Sequence, residues 1–219
     1  MGEGLNKSIA SVWYRCFRMN CLSLIGEACD ALKKEGHVSI DWEEENITAN
    51  IKNHIEKNPS AIIQMIFVAD EVRLYTSDIL AGKKKSRNAP RIDLVLQRTW
   101  NNTQRINYYV EAKILILHNC KKAGRKSPIS ATGKQKRYIK TGIDNFRDGT
   151  YPANGAMLGY ILEGEPTEIV SGINRLLRKA GRGAELLVNE PYKIIGIDAC
   201  YSSVHTKSRL EHFFVRFSY

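Results

Sequence analysis

Long hydrophobic runs are missing from this sequence. The longest ones, such as Ala61–Ala69 with Gln64 inside it, fall far short of the roughly 20 residues that a membrane-spanning helix needs, so a soluble protein is expected. Paired cysteines are missing too. Cys16, Cys21, Cys29, Cys120 and Cys200 are odd in number and scattered, with no CxxC spacing to suggest zinc or redox chemistry, and they read as reduced packing residues. The N-terminal segment MGEGLNKSIASVWYRCF lacks a basic stretch followed by an uninterrupted apolar core, which points to a cytoplasmic location. No internal repeat or low-complexity tract is present. Pro128–Gln135 ends in Gly-Lys, but Pro128 stands where a phosphate-binding loop needs glycine and Gln135 where it needs Ser or Thr, which excludes that ATP site. His118-Asn119 has no second histidine at suitable spacing and no zinc cysteines to make an HNH nuclease.

What is present is enough apolar material for a sizeable core. The chain has 219 residues, 43% of them hydrophobic and 26% charged, which fits one domain with an appendage. Lys and Arg outnumber Asp and Glu by 33 to 23, leaving a formal charge of +10. A polyanion is the natural partner, with nucleic acid ahead of an anionic membrane surface.

Apolar spacing predicts two short helices between Leu5 and about Lys34. A stronger helix is predicted from Asp41, with Asp41 as its cap and Ile47, Ile51 and Ile55 recurring every four residues until Asn58-Pro59. Ala61–Ala69 fits a buried helix or a strand equally well. Gly82–Asn88 reads as a basic loop. Arg91–Gln97 and Ile106–Leu117 read as two strands of a hairpin turning at Asn101–Gln104. A polar, basic loop follows over His118–Thr132. Then come a helix over Gly133–Phe146, a strand over Asn154–Leu162, a helix over Thr167–Lys179, and late strands over Tyr192–Ile197 and His212–Phe217. The expected class is α/β, with residues 1–38 as a helical N-terminal extension and 39–219 as the core with a C-terminal elaboration.

The second hairpin strand carries the chemistry. Period-two geometry puts Tyr109, Glu111 and Lys113 on one face, expected to be open, and Val110, Ala112 and Ile114 on the other. Asp93, 18 residues before Glu111, converges on the same spot if the hairpin pairs as proposed. Neighbouring carboxylates repel when both are ionised, and a hard divalent cation such as Mg²⁺ relieves this. The competing reading is a cross-strand ion pair on a solvated sheet face.

Pro90-Arg91-Ile92-Asp93 followed by Glu111-Ala112-Lys113 resembles the signature of PD-(D/E)xK, restriction-endonuclease-like nucleases, although two residues separate Pro90 from Asp93 where the family pattern has them adjacent. The resemblance runs from about Asp41 to Leu162. It implies a mixed central sheet flanked by helices, and metal-dependent phosphodiester hydrolysis. Asp93, Glu111 and the carbonyl of Ala112 would hold Mg²⁺, with Mn²⁺ as substitute, and Lys113 would orient or deprotonate the attacking water, orientation being favoured because an ammonium beside two carboxylates stays charged. The family commonly adds a glutamate from the first core helix, and spacing from Ile47 selects Glu44 over Glu43 and Glu45. It also places a glutamine and a tyrosine or lysine on the helix after the hairpin, which Gln135 and Tyr138 resemble. Lys121, Lys122, Arg125 and Lys126 in the preceding loop, and Lys134, Lys136, Arg137, Tyr138 and Lys140 on the helix, are the candidate DNA contacts. DNA is the expected substrate, in restriction or defence against phage or plasmids, with a homodimer to cut both strands and other defence proteins as further candidate partners. RNA or branched DNA is the alternative substrate, and a non-catalytic DNA-binding protein the alternative of another class. Ser202, Ser203 and His205 lack an acid that would make a triad. His205 and His212 read as packed or solvated, and the aromatic C-terminus reads as a base-stacking platform or a buried strand face.

Overall fold

The structure, a computed structural model, describes residues 7–99, 104–206 and 208–217. The first helix, α1 (Lys7–Glu35), is one continuous helix rather than two. No proline interrupts it, and its buried positions Phe17, Cys21, Leu24, Ala28 and Leu32 run at intervals of three and four on one face. It stops where Gly36 takes a positive φ of 67°, a conformation that costs glycine little. Helix α2 (Glu44–Lys57) buries Ile47, Ile51 and Ile55 as expected. Asp41 does not cap it. The residue before its first turn is Glu43, which makes no side-chain cap, and the Asp41 carboxylate instead accepts from the Ala123 amide at 2.6 Å.

The ambiguous apolar stretch divides between a short helix, α3 (Pro59–Ile63), and strand β1 (Phe67–Arg73). Asn58 opens the helix, its side chain accepting from Ser60 N with Pro59 in the first turn, and the division from β1 falls where Met65 takes a positive φ of 51°. After a single turn, α4 (Ser77–Leu80), the predicted hairpin forms from β2 (Arg91–Thr99) and β3 (Arg105–Ile116). Most of its expected turn, residues 101–103, lies outside the described residues. The next helix begins at Ala131 as α5 (Ala131–Arg137), where Ser130 accepts from Gly133 N. It widens into a π-helical segment (Tyr138–Ile143) and ends as α6 (Asp144–Arg147). Strand β4 (Gly155–Glu163) and helix α7 (Pro166–Lys179) follow.

The C-terminal part departs from expectation. Residues 192–197 form no strand. They cross α1, where Gly196 takes a φ of 77° and Lys33 donates to its carbonyl at 3.0 Å. Gly26 leaves the room, because a Cβ there would strike the Ile195 carbonyl. The strand expected over His212–Phe217 forms as β7 (Ser208–Arg216), and β5 (Val188–Asn189) and β6 (Ala199–His205), which were not expected, precede it.

The seven strands form one mixed sheet in the order β1-β2-β3-β4-β7-β6-β5. Only the central pairs β3–β4 and β4–β7 are parallel. One apolar cluster joins the sheet to α1 and α2. A second, on the other face, joins it to the helical run 131–147 and to α7, giving three layers. Phe213, Phe214 and Phe217 are all buried in these clusters, so these three are core packing rather than a stacking platform, while Tyr219 lies outside the described residues. No helix among the described residues is long and apolar enough to cross a membrane.

Candidate active site

The site forms where the sheet's ladder is interrupted. β2 and β3 pair antiparallel from Thr99↔Arg105 to Leu94↔Val110, and no further. On the other side of β2, the ladder with β1 skips the position of Glu71 and Asp93, where Glu71 adopts a left-handed φ of 49°. That conformation is strained for a non-glycine residue, and strain of this kind concentrates at functional sites. Asp93 thus sits at a position without a ladder partner on either flank.

Beyond Val110 the β3 amides that lose β2 find carboxylates. Ala112 N donates to Asp93 Oδ2 at 2.6 Å, and Ile114 N donates to Glu44 Oε2 at 2.9 Å. Both amides are buried main-chain donors that would be costly to leave unpaired. Glu44 reaches the strand because it opens α2, one turn before Ile47 on the buried stripe. Glu43 turns instead to Lys122 and Arg125, and Glu45 is exposed.

The carboxylates converge on one ammonium. Lys113 Nζ lies 2.7 Å from Glu111 Oε1, 3.0 Å from Glu44 Oε1 and 3.5 Å from Asp93 Oδ2, and it donates to the Ala112 carbonyl at 2.5 Å. The period-two expectation places Glu111 and Lys113 together, but not on an open face: each is only 4% exposed. The helical run 131–147 and α7 cover that face, and Leu115 and Tyr109, of the same strand parity, pack into their cluster. Burial, then the nearby Asp93 charge, pushes the Glu111 carboxyl up to about 8. Burial also raises Asp93. Burial alone would lower Lys113, but the surrounding carboxylates outweigh it and hold the ammonium above its ordinary value. Glu111 Oε2 is buried with no hydrogen-bond partner.

These donors suit a hard cation: carboxylate and carbonyl oxygens, one of them unsatisfied. Lys113 contacts each of Asp93, Glu111 and the Ala112 carbonyl, the three groups that the sequence suggested for Mg²⁺. With the ammonium among them, the carboxylates are spread around it. No group of three or more His, Cys, Asp or Glu is gathered to hold a metal ion among the described residues.

The flanking candidates divide. Lys122 is 3% exposed, and its ammonium donates to the Trp42 carbonyl at 2.6 Å and pairs with Glu43 at 3.1 Å. It pins the basic loop to the start of α2 and is not available to a phosphate. Tyr138 is fully buried, its hydroxyl 2.9 Å from His212 Nδ1, so it is no DNA contact either. Gln135 is buried with its carboxamide against α7, where a Cβ on Gly172 would come within 2.6 Å of its Oε1, and it makes no hydrogen bond to Asp93, Glu111 or Lys113. Arg125 is exposed and pairs with Glu43 at 3.2 Å. Lys121, Lys126, Lys136, Arg137 and Lys140 are exposed and Lys134 half-buried, and none of the six forms an ion pair with a described carboxylate. Burial lowers Lys134, while Glu44 pulls in the opposite direction, which places this cation beside the acidic cluster.

Two features had no readable signal in the sequence. Glu71 lies opposite Asp93 in β1, just beyond the apolar stretch Ala61–Ala69 and in a segment where spacing predicts no element, and Arg91 holds its carboxylate at 2.8 Å. A chain of buried hydrogen bonds also crosses the second core. His212 Nε2 lies 2.8 Å from Ser203 Oγ, Ser203 Oγ lies 2.8 Å from His205 Nε2, and His205 Nδ1 lies 2.6 Å from Glu185 Oε2. Glu185 is the acid missing from the serine and histidine pattern, but Ser203 is 1% exposed and open to no substrate. One proton assignment satisfies every member: Tyr138 donates to His212, His212 to Ser203, Ser203 to His205, and His205 to ionised Glu185. Both histidines are then neutral, as burial requires.

No protein-family model, curated protein or solved structure matches this chain.

Proposed function

We propose that the chain is a divalent-metal-dependent phosphodiesterase acting on nucleic acid, of the restriction-endonuclease-like PD-(D/E)xK class. The observation that carries this reading is the convergence of Asp93, Glu111 and the Ala112 carbonyl on the Lys113 ammonium at a break in the sheet, with Glu44 arriving from α2. Asp93, Glu111 and the Ala112 carbonyl would hold Mg²⁺, which supplies acidified water and stabilises charge building on the phosphate. Lys113, kept protonated by its carboxylates, serves as a hydrogen-bond donor that positions water or a phosphate oxygen, not as a base. Glu44 fixes that ammonium. In hydrolysis, water oxygen bonds to phosphorus, one bridging P–O bond breaks, and the proton lost by water ends on the departing oxygen. Lys134, beside the cluster, and the exposed Lys136, Arg137 and Lys140 on the same helical run would hold the backbone. DNA as the substrate, a homodimer for cutting both strands, and a cytoplasmic defence role belong to the same proposal.

A second reading has its own observation. The ammonium already pairs with all three carboxylates, and burial favours a proton on Glu111, so the cluster also fits an ion-pair network of a nucleic-acid-binding protein without activity. Incubation with plasmid DNA separates the two: the proposal expects nicking or linearisation with Mg²⁺ or Mn²⁺ and none in EDTA. Binding without cleavage under all three conditions, on DNA and on RNA, establishes the second reading.

A further inference from the structure

Away from the acidic cluster, on the face of the sheet that carries α1, lies a cleft of about 480 Å³. Tyr108 of β3 and Arg209 and Glu211 of β7 line it from the sheet. Tyr14 and Arg18 of α1, Tyr192 of the irregular segment and residues 153–155 complete it. Its size falls within the range of small-molecule sites.

The charges in the cleft are already matched. Arg18 pairs with Glu211, which also accepts from Tyr192 at 3.1 Å, and Arg209 pairs with Glu190. A free anion would have to compete with two carboxylates, and a cation would meet two guanidinium groups. What remains unmatched is neutral. The Tyr108 hydroxyl is buried without a hydrogen-bond partner, although Glu211, Arg18 and Tyr14 are its electrostatic neighbours, which sets it at the cleft floor. An orphaned hydroxyl beside the partly exposed rings of Tyr14 and Tyr192 asks for a flat, uncharged ligand with hydrogen-bonding edges.

We propose that this cleft binds a single nucleobase, held by stacking on the half-buried rings of Tyr14 and Tyr192 and by a hydrogen bond to the Tyr108 hydroxyl at its floor. The base comes either from a free nucleoside or nucleotide or from an unpaired position of a strand. The inference stands apart from the phosphodiesterase reading, because it is tested as binding without metal.

The test uses fluorescence quenching in EDTA with two probes: 2-aminopurine deoxyriboside, and a single-stranded oligodeoxynucleotide carrying one 2-aminopurine. Saturable quenching is expected with at least one probe. Quenching of the nucleoside identifies a free ligand, whereas quenching of the oligonucleotide alone identifies a strand. Tyr192→Leu, which removes a stacking ring, should weaken binding about tenfold. Tyr108→Phe keeps the ring and its packing, and should weaken binding about fivefold through the lost hydrogen bond. If the cleft is only structural, Tyr108→Phe raises the thermal midpoint by removing an unsatisfied hydroxyl and leaves quenching unchanged. That result, equal quenching in Tyr192→Leu and the parent, or no saturable quenching with either probe, overturns the proposal.

Discussion

Replacing Lys113 with methionine tests the acidic cluster most directly, because it removes the ammonium and keeps much of the side-chain volume. In the parent protein that ammonium lies within 2.7 to 3.5 Å of the three carboxylates of Glu111, Glu44 and Asp93. Its side chain is 5% exposed, so solvent does little to screen the loss. Removing one partner of a buried ion pair costs about 3–5 kcal/mol. Glu111, held up at about 8, takes a proton readily and relieves part of the repulsion, so the lower end, about 3 kcal/mol, is expected. For a domain of this size that lowers the thermal midpoint by about 6–12 °C. If the carboxylates and the Ala112 carbonyl bind metal, Mg²⁺ substitutes for the missing charge, and the variant gains more stability from Mg²⁺ than the parent does. Thermal unfolding of both proteins in EDTA and in excess Mg²⁺ measures both effects, and plasmid cleavage should fall at least about a hundredfold. A loss below about 1 kcal/mol, the value for exposed pairs, refutes the buried network. A loss that Mg²⁺ does not reduce refutes the metal site.

Three further outcomes are expected. Replacing Lys134, Lys136 and Arg137 together by alanine should weaken DNA binding and lower its salt dependence by about 0.9 per lost phosphate contact; an unchanged slope in a salt titration means that α5 faces away from the nucleic acid. Because a proton on Glu111, favoured below about 8, competes with metal, raising Mg²⁺ should move the acid limb of the cleavage pH profile downward, and a limb indifferent to Mg²⁺ shows that Glu111 is no ligand. Burial lowers His212 to about 3 from about 6.5 in the unfolded chain, so the unfolded state binds more protons between those values. Stability from this group is full above 6.5 and is lost as pH falls toward 3, at up to about 1.4 kcal/mol per pH unit. Urea midpoints from pH 7 to pH 4 should therefore fall more steeply for the parent than for His212→Gln, and parallel curves reject the neutral assignment.

The parts of the fold that sequence spacing revealed are those whose burial is one-sided and local. Ile47, Ile51 and Ile55 mark one helix face, and the alternation in Arg91–Gln97 marks a strand with two distinct sides. The misreadings arise where long-range packing overrides local pattern. Residues 192–197 look like a strand by composition, but Gly26 and Gly196 bring them across α1, a contact between positions about 170 apart in the chain. β6 was hidden for a related reason: its polar residues Ser203 and His205 point into the second core, where Glu185 and His212 satisfy them. Polarity there reports a buried network rather than a surface.

The acidic cluster was legible for one reason and misjudged for another. Period two on β3 is a local property, and it brings Glu111 and Lys113 together whatever surrounds them. Whether their face is open depends on what the crossover between β3 and β4 does, and that crossover lays the run 131–147 over the same side of the sheet. Burial changes the chemistry more than the geometry. An exposed carboxylate pair beside a lysine would be ionised and screened, whereas the buried one favours a proton on Glu111 and fixes the charge on Lys113. Lys122, in a loop that reads as basic and solvated, and Tyr138, on a helix that reads as facing DNA, each fold the polar end inward to a partner, the Trp42 carbonyl for one and His212 for the other. Of the exposed cations without an ion pair to a described carboxylate, Lys136, Arg137 and Lys140 stand on the very helical run that closes the cluster from solvent. A nucleic-acid strand bound there would lie against the lid of the site, so backbone contacts and access to Glu111 and Lys113 are physically linked through one element.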